Sequence, residues 1–359
     1  MDRFVVNPVV FADPAFDAHE QVVFCSDAES GLRAIIAIHD TALGPALGGT
    51  RMWSYLSEAA ALADVLRLAR GMTYKNALAN LPHGGGKAVI IGSPETDNKP
   101  ELLRAFARHV QRLGGRFITG QDVGLTVEDI DRIAELTPHV RGTSKGRVGD
   151  PSPYTTLGVF KGLAAAVAHQ LCSASLEGVS VCVQGLGAVG MRLCRMLHLA
   201  GAVLTVSDIR ETAVRYAQEK FGAAVADPRH AHAADVDVFA PCALGAVLNQ
   251  QTIPEIRARV VAGAANNQLA TVADGERLWK RGILYAPDYV INAGGVIAIA
   301  QDGSEFDPQR LNRDVLRIAD TLRHIFERAE AEGLATSVIA DHMAEELLGR
   351  ARSRHPVAA

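Results

Sequence analysis

Val179–Gly190 reads VSVCVQGLGAVG, and this pattern is the strongest indication of fold in the chain. The apolar run Val179–Val183 is typical of a buried strand, and it leads into the pattern Gly-x-Gly-x-x-Gly. A helix to about Ala200 and a second apolar run, Val203–Ser207, follow. Strand, glycine-rich turn, helix and strand in this order predict a β-α-β unit with parallel strands.

The glycines of this turn indicate a dinucleotide site. Gly185 permits the tight turn, Gly187 lets the backbone approach a pyrophosphate, and Gly190 lets the helix pack close to the strand. The pyrophosphate would lie at the helix N-terminus, at Ala188 and Val189, where free N–H groups and the helix dipole favour an anion. A glycine-rich turn that binds no nucleotide is the alternative.

An acidic residue ends the second strand. Asp208 follows Gly190 by 18 residues, close to the spacing of about 20 expected for the residue that contacts the adenosine ribose. Its carboxylate would accept hydrogen bonds from the ribose hydroxyls and repel a 2′-phosphate, so NAD is favoured over NADP. Ile209 belongs to the same predicted site, and the nearby Arg210 weakens the preference for NAD.

The whole chain is predicted to form two α/β domains. Residues 1–150 mix strand and helix patterns, and Gly142–Pro153 is rich in glycine, proline and serine, which is typical of a hinge. In residues 151–330 strands alternate with helices, which predicts a doubly wound, Rossmann-type NAD-binding domain.

Four local predictions bear on the site. Ala88–Ile91 and Val290–Ile291 have the apolar, β-branched composition of strands. Glu58–Arg70 has the spacing of a helix that ends at Gly71, and the tail beyond Leu311 is helical.

Composition and charge exclude several classes of protein. The 359 residues are 48% hydrophobic and 21% charged, with a net charge of −4, which gives no electrostatic case for nucleic acid as a partner. The opening residues lack a signal-peptide pattern, and no apolar run is long enough for a membrane span. Five cysteines without a C-x-x-C pair indicate neither a disulfide framework nor a metal site. A cytoplasmic protein without a metal is therefore expected.

Two lysines are candidate active-site residues. Lys75 lies in MTYKN, and Lys87 follows three glycines at the start of a predicted apolar strand. Burying an ammonium is costly, and a desolvated lysine can act as a base near neutral pH. The three glycines would let a substrate or cofactor approach the backbone. The alternative is that both lysines are ordinary surface residues.

Asp122 follows another predicted strand, within Thr119–Gly124 (TGQDVG). Two interpretations stay open on this pattern alone. The carboxyl group is either a general acid or a structural residue of an Asx turn.

These motifs resemble the glutamate/leucine/phenylalanine/valine dehydrogenase superfamily, most closely its leucine dehydrogenase branch, over nearly the whole chain. Eight ordered segments carry the resemblance, which makes it far more specific than one glycine pattern. They are Gly44–Trp53, Leu66–Asn76, Gly84–Gly92, Pro151–Val159, Gln184–Gly190, Pro241–Leu248, Ala262–Leu269 and Ala286–Val296.

The resemblance implies NAD-dependent, reversible deamination of a hydrophobic L-amino acid to its 2-oxo acid and ammonium. Lys75 would bind the substrate carboxylate, Lys87 would be the general base that activates water, and Asp122 would exchange a proton with the substrate nitrogen. The family also implies a homo-oligomer whose C-terminal helices, here about residues 331–359, fold back onto the N-terminal domain.

The resemblance also assigns contacts at the cofactor. Thr155 would contact the carboxamide, and Cys242 and Ala243 would line the cofactor's passage. Asn266 and Asn292 would contact the nicotinamide end or the substrate.

Five further residues are implied for the substrate: Leu47, Gly48, Gly120, Val296 and Ile299. Three of them are branched aliphatics, which favours leucine, isoleucine or valine. Leucine dehydrogenases commonly have Ala-Glu where this chain has Gly120-Gln121. The missing methyl leaves phenylalanine or tryptophan as the alternative substrate class.

Two other classes of protein compete with this interpretation. A hydroxy-acid dehydrogenase would use a His–carboxylate pair instead of two lysines, and no carboxylate is evidently placed to orient His83. A non-enzymatic NAD-sensing regulator would keep the glycine pattern and lack the lysines.

Overall fold

A computed structural model describes residues 10–243, 245–303 and 306–354. The chain forms two compact units. Among the described residues, the first unit comprises 10–149, 299–303, 306 and 346–354, and the second comprises 150–243, 245–298 and 307–345. Residues 1–9 and 355–359, which the predicted domains include, lie outside the described residues.

The first unit is built on a six-stranded mixed sheet in the order β1-β2-β5-β3-β6, with β4 also paired to β5. Strands β1, β2 and β5 are antiparallel neighbours, whereas β3 and β4 run parallel to β5. The strands are β1 Gln21–Asp27, β2 Leu32–Asp40, β3 Ala46–Leu47, β4 Thr50–Trp53, β5 Gly84–Ile91 and β6 Phe117–Ile118.

Helices cover both faces of this sheet, because its central strands are apolar on both sides. Ile36 and Ile90 pack towards α2, while Ile35 and Val89 pack towards α1. The helices of this unit are α1 Glu58–Leu78, α2 Lys99–Arg112 and α3 Val127–Ala134.

The second unit contains a six-stranded sheet in the order β12-β11-β10-β7-β8-β9, and every pairing is parallel. The predicted doubly wound sheet is therefore confirmed. The strand order reverses between β7 and β10, and ligands of such sheets bind at this switch point. The strands are β7 Ser180–Gln184, β8 Val203–Ser207, β9 Ala224–Val225, β10 Val238–Pro241, β11 Val260–Val261 and β12 Leu284–Tyr285.

Eight α-helices occur from residue 150 onward among the described residues. They are α4 Ser152–Leu171, α5 Ala188–Leu199, α6 Glu211–Phe221, α7 Val272–Lys280, α8 Asp288–Ile291, α9 Gly294–Ala300, α10 Pro308–Glu332 and α11 Thr336–Arg354.

Three local predictions were wrong. Helix α1 does not end at Gly71 but continues to Leu78, so Lys75 lies on a helix. Strand β5 begins at Gly84 rather than Ala88, which places Lys87 inside the strand. Val290 and Ile291 belong to α8, where the amide N–H of Asn292 donates to the Asp288 carbonyl. Local hydrogen bonding there overrides the β-propensity of two β-branched residues.

The end of the chain also differs from the expectation that everything from about residue 331 packs on the first domain. Residues 307–345 belong to the second unit, and only the part from Glu346 belongs to the first. Thr336 begins α11 by donating its hydroxyl to the Tyr285 carbonyl at 2.6 Å, which ties this helix start to β12. Within the described ranges, no helix has both the length and the apolar character needed to cross a membrane.

Candidate active site and cofactor site

Lys87 and Asp122 meet in the first unit. The Lys87 Nζ lies 2.6 Å from the Asp122 Oδ2, and both side chains are largely buried. Lys87 comes from the middle of β5, and Asp122 comes from the loop after β6. That loop is anchored where the amide N–H of Thr50 donates to the Gly120 carbonyl at 2.8 Å. The carboxylate thus engages a buried cation from strand β5, so its contacts extend beyond a local turn.

A third charge, which the sequence analysis missed, lies beside this pair. The Arg51 Nε is 3.5 Å from the Asp122 Oδ2. Its Nη1 donates to the Asp64 Oδ2 at 2.9 Å, and the Tyr55 hydroxyl donates to the same oxygen at 2.7 Å. Burying an unpaired guanidinium group is costly, so an arginine inside a buried strand normally has a carboxylate partner. This rule could have identified Arg51 as a candidate partner of a nearby carboxylate.

Strand register explains why these charges converge. Arg51 of β4 pairs with Val89 of β5, so the two side chains point to the same face of the sheet. Lys87 shares that face because it lies two residues from Val89. Val89 packs on α1, the helix that carries Asp64.

The surrounding charges determine the ionisation of Asp122. Burial alone would raise the pKa of this carboxyl group. The positive charges of Lys87 and Arg51, with the hydrogen bond from Lys87, outweigh burial and lower the pKa of Asp122 to about 2. Asp122 is therefore an anion at neutral pH.

Lys75 occupies the last turn of α1 and is half-buried. The next residue fixes this turn, because the Asn76 Nδ2 donates to the carbonyls of Gly84 at 2.7 Å and Leu47 at 3.2 Å. These bonds tie the end of α1 to β5 and β3. The predicted residues Lys75, Lys87 and Asp122 therefore all belong to one unit, on elements that hydrogen bonds and packing fix together.

The glycines before Lys87 serve the packing of the chain itself, which differs from the expectation that they admit a ligand. A Cβ on Gly84 would lie 1.9 Å from the Asp40 carbonyl oxygen. A Cβ on Gly85 would lie 2.0 Å from the amide nitrogen of Thr73 on α1. The glycines let α1 and β2 approach β5 closely, and this approach positions Lys87.

The predicted substrate residues of the first unit surround the same strands. Leu47 in β3 is 2% exposed, and a Cβ on Gly48 would lie 1.8 Å from the Gly86 carbonyl oxygen. A Cβ on Gly120 would lie 3.2 Å from the carbonyl oxygen of Arg141. A methyl group at position 120 would therefore be in tight contact with the Arg141 backbone.

In the second unit, the glycine-rich turn fits a dinucleotide. Gly185 has a φ of +98°, and a Cβ there would lie 2.7 Å from the Cβ of Ala243. A Cβ on Gly190 would lie 1.9 Å from the Gly185 carbonyl oxygen, so α5 packs directly on the turn. A Cβ on Gly187 would meet nothing within 4 Å. The N-cap of α5 is Gly187, which has no side chain to cap the helix, so the first-turn N–H groups of Ala188 and Val189 are suited to bind a pyrophosphate.

Asp208 follows β8 beside this turn. The amide N–H of Leu186 donates to its Oδ2 at 2.6 Å, and the amide N–H of Arg210 donates to its Oδ1 at 2.8 Å. Burial opposes ionisation, but these bonds and the Arg210 guanidinium lower the pKa of Asp208. Ile209, between the two, is 87% exposed, as a residue available to a ligand would be.

Two asparagines predicted at the nicotinamide end contact each other. The Asn292 Nδ2 donates to the Asn266 Oδ1 at 2.8 Å and to the Ala264 carbonyl at 3.1 Å. The Asn292 Oδ1 is buried and has no hydrogen-bond partner among the described residues. A buried acceptor of this kind can accept a hydrogen bond from a ligand's donor.

The other predicted cofactor residues lie near the switch point or on α4. The amide N–H of Cys242 donates to the Gln184 carbonyl at 2.7 Å, joining the ends of β10 and β7. Burial raises the pKa of the Cys242 thiol to about 11, so it is neutral at pH 7. Thr155, on α4, donates its hydroxyl to the Pro151 carbonyl at 3.3 Å.

Val296 and Ile299 are half-buried residues of α9. Because they are three apart on a helix, they share one face.

Two family models match the chain. One, described as Glu/Leu/Phe/Val dehydrogenase, dimerisation domain, matches residues 19–139, and the other, Glutamate/Leucine/Phenylalanine/Valine dehydrogenase, matches residues 209–337. The chain belongs to the Glu/Leu/Phe/Val dehydrogenase family. The predicted resemblance is confirmed.

Similar proteins cover almost all of the chain. Leucine dehydrogenase of Bacillus subtilis is 51% identical over 336 residues, which are 93% of this chain and 92% of that protein. L-tryptophan dehydrogenase of Nostoc punctiforme is 49% identical over 335 residues, 93% of this chain and 94% of that protein. A crystal structure of L-tryptophan dehydrogenase from Nostoc punctiforme has a TM-score of 0.82 at 48% identity, covering 93% of this chain and 97% of that one.

This member of the Glu/Leu/Phe/Val dehydrogenase family is therefore an amino acid dehydrogenase, an oxidoreductase that uses a nicotinamide cofactor. The hydroxy-acid dehydrogenase and the non-enzymatic regulator are thereby excluded.

Proposed function

We propose that the enzyme catalyses the NAD-dependent, reversible oxidative deamination of a branched-chain L-amino acid to its 2-oxo acid and ammonium. The observation that carries the chemistry is the buried contact of 2.6 Å between Lys87 and Asp122. A buried amine beside a carboxylate can move protons at a substrate held next to both.

Each of three residues has a distinct part in this proposal. Lys75 binds the substrate carboxylate as a point charge. Lys87 takes a proton from the water that attacks the α-carbon of the iminium. Asp122 is an anion because its pKa is lowered, and it exchanges a proton with the substrate nitrogen: it accepts one before the hydride leaves the α-carbon and returns it as the nitrogen departs as ammonia.

The cofactor, when bound, accepts the hydride from the α-carbon. In the proposal, the turn from Gly185 to Gly190 holds the pyrophosphate, and Asp208 favours NAD over NADP because its charge repels a 2′-phosphate. Thr155, Cys242, Ala243, Asn266 and Asn292 complete the proposed cofactor site. The assignment of residues 1–150 to substrate binding and of 151–330 to NAD binding is part of the same proposal.

The proposed substrate class rests on the residues around the amino acid's side chain. The family resemblance assigns Leu47, Gly48 and Gly120, with Val296 and Ile299 of α9, to this pocket. None of them offers a charge partner, so a glutamate side chain would be desolvated without a counter-ion. Three of the five residues are branched aliphatics, which favours branched-chain over aromatic substrates. An aromatic preference is the second candidate, because a tryptophan dehydrogenase is nearly as similar as a leucine dehydrogenase.

A stoichiometry measurement tests the proposed reaction. L-leucine and NAD are expected to yield NADH, ammonium and the 2-oxo acid in equal amounts. NADH formation without release of ammonium would contradict deamination.

We also propose a homo-oligomer, since the matching N-terminal family model is described as a dimerisation domain. Light scattering of the purified chain tests this, and a monomeric mass at assay concentration would contradict it.

A further inference from the structure

The carboxylate of Asp208 already has as many hydrogen-bond donors as it can accept. Its Oδ1 accepts from the amide N–H of Arg210 at 2.8 Å and from the Arg210 Nε at 3.1 Å. Its Oδ2 accepts from the amide N–H of Leu186 at 2.6 Å and from the Arg210 Nη2 at 3.2 Å. An ionised carboxylate offers about four lone-pair sites, and four donors occupy them here.

The hydroxyls of an adenosine ribose would need the same oxygens. If Asp208 is to accept from them, as the proposed NAD site requires, some of the present donors must leave. The two backbone donors are fixed, because Leu186 lies in the glycine-rich turn and Arg210 directly precedes α6. The two bonds from the Arg210 guanidinium are the only ones of the four that can break without moving the backbone.

The Arg210 side chain can readily move away from the Asp208 carboxylate. It is 56% exposed, whereas the Asp208 side chain beneath it is 8% exposed. A third bond, from the Arg210 Nη2 to the Leu186 carbonyl at 3.0 Å, holds the guanidinium across the turn. Because the guanidinium itself is exposed to solvent, water and the hydroxyls of a ligand can compete for these bonds.

We propose that Arg210 is a displaceable cap on the adenosine-ribose site and sets the discrimination between NAD and NADP. NAD binds only after its ribose hydroxyls replace the guanidinium on Asp208, so Arg210 lowers the affinity for NAD. The displaced guanidinium stays tethered two residues from Asp208, where it can bind a 2′-phosphate through paired N–H groups. The same side chain thus offsets the repulsion between Asp208 and NADP. This inference rests on the proposed NAD site.

Binding measurements without any amino acid substrate test the inference. Dissociation constants of NADH and NADPH are measured by calorimetry for the wild type and for Arg210→Ala, Arg210→Lys and Arg323→Ala. In Arg210→Ala, NADH is expected to bind at least about threefold more tightly and NADPH more weakly. The ratio of the two constants should therefore increase about tenfold or more. Arg210→Lys keeps the charge without the paired donors and should give an intermediate ratio.

Arg323→Ala is the matched control, because Arg323 is another exposed arginine of the second unit that pairs with an aspartate, Asp320 on α10. Both dissociation constants should stay within about twofold of the wild type in this variant. The inference is overturned if Arg210→Ala leaves the ratio unchanged or weakens NADH. It is also overturned if Arg323→Ala changes the ratio as much as Arg210→Ala does. If neither cofactor binds the wild type, the proposed NAD site itself is wrong, which is a different result from binding with an unchanged ratio.

Discussion

At the scale of single residues, the site is determined by charges that burial forces into contact. Lys87, Asp122 and Arg51 are all largely buried, and each is costly to bury unless it is paired. Lys87 could be singled out from the sequence because a lysine after three glycines in an apolar run is unusual. Arg51 was missed because its partners lie on α1 and in a loop, and only strand register brings them together.

Replacement of Lys87 by alanine is expected to lower kcat by at least about 100-fold, since it removes the proposed base. Binding of NADH should persist, as measured by fluorescence. Lys99→Ala is a matched control, because the Lys99 Nζ lies 2.6 Å from the Asp129 Oδ2 in a second buried pair of the first unit. That variant should lose stability but keep its kcat within about threefold when folded. A near-normal kcat for Lys87→Ala would show that another residue is the base.

Arg51 gives a prediction about pH. Arg51→Gln removes one of the two cations beside Asp122, so the pKa of Asp122 should rise from about 2 towards its ordinary value. The Asp122 carboxyl group, followed by NMR of the aspartate-labelled protein, should titrate at higher pH in this variant than in the wild type, and kcat should fall about 10- to 100-fold through misplacement of the carboxylate. Arg51→Lys keeps the charge and should retain the wild-type titration of Asp122. Equal losses of kcat in both variants with identical titrations of Asp122 would indicate a structural role only.

At the scale of elements, the periodic patterns in the sequence were sufficient to predict the β-α-β unit. They did not predict where helix α1, which carries Lys75, ends. The sequence places a helix stop at Gly71 because glycine is a weak helix former. Thr73 lies against Gly85, and Asn76 bonds two carbonyls beyond the helix, so packing on β5 carries α1 to Leu78. Such contacts join residues far apart in the chain and leave no local signal.

Two glycine substitutions test this account of α1 and β5. A Cβ on Gly71 meets nothing within 4 Å inside the helix, so Gly71→Ala should raise the free energy of unfolding by about 0.5–1 kcal/mol. A Cβ on Gly85 would lie 2.0 Å from the Thr73 amide nitrogen, so Gly85→Ala should cost at least about 3 kcal/mol or prevent folding. Denaturant titration measures both. If Gly71→Ala and Gly85→Ala both changed the free energy of unfolding by the same small amount, the close packing of α1 on β5 would be contradicted.

At the scale of the whole molecule, the two units and their sheets follow from the alternation of strands and helices. The burial of titratable side chains determines how the stability of the fold depends on pH. His39 is 7% exposed, and its Nδ1 lies 2.9 Å from the Thr73 hydroxyl. Burial, then the nearby His19, lower the pKa of His39 to about 4, against the opposing effects of Asp17 and Asp40. The sequence could not predict this, because His19 and His39 approach each other only through the fold.

The low pKa of His39 predicts a loss of stability in mild acid. Between pH 6.5 and about 4, the unfolded chain takes up a proton on His39 that the folded protein does not. The free energy of unfolding should therefore fall as the pH falls through this window, by up to about 3 kcal/mol from this group. His39→Gln should flatten the pH dependence, and replacement of the exposed His198 should not. An unchanged slope in His39→Gln, measured by denaturant titration at several pH values, would contradict the account.

The proposed enzyme is a dehydrogenase whose substrate pocket suits branched aliphatic side chains. Measurement of kcat/KM for NADH formation from NAD with leucine, isoleucine, valine, phenylalanine, tryptophan and glutamate tests this proposal. A branched-chain amino acid should give the highest value, with overlap from aromatic substrates limited by the roughly 1–3 kcal/mol that such pockets discriminate. Glutamate should be slower by at least about 100-fold, because its carboxylate would be desolvated without a counter-ion. A higher kcat/KM for phenylalanine or tryptophan than for every branched-chain amino acid would contradict the claim.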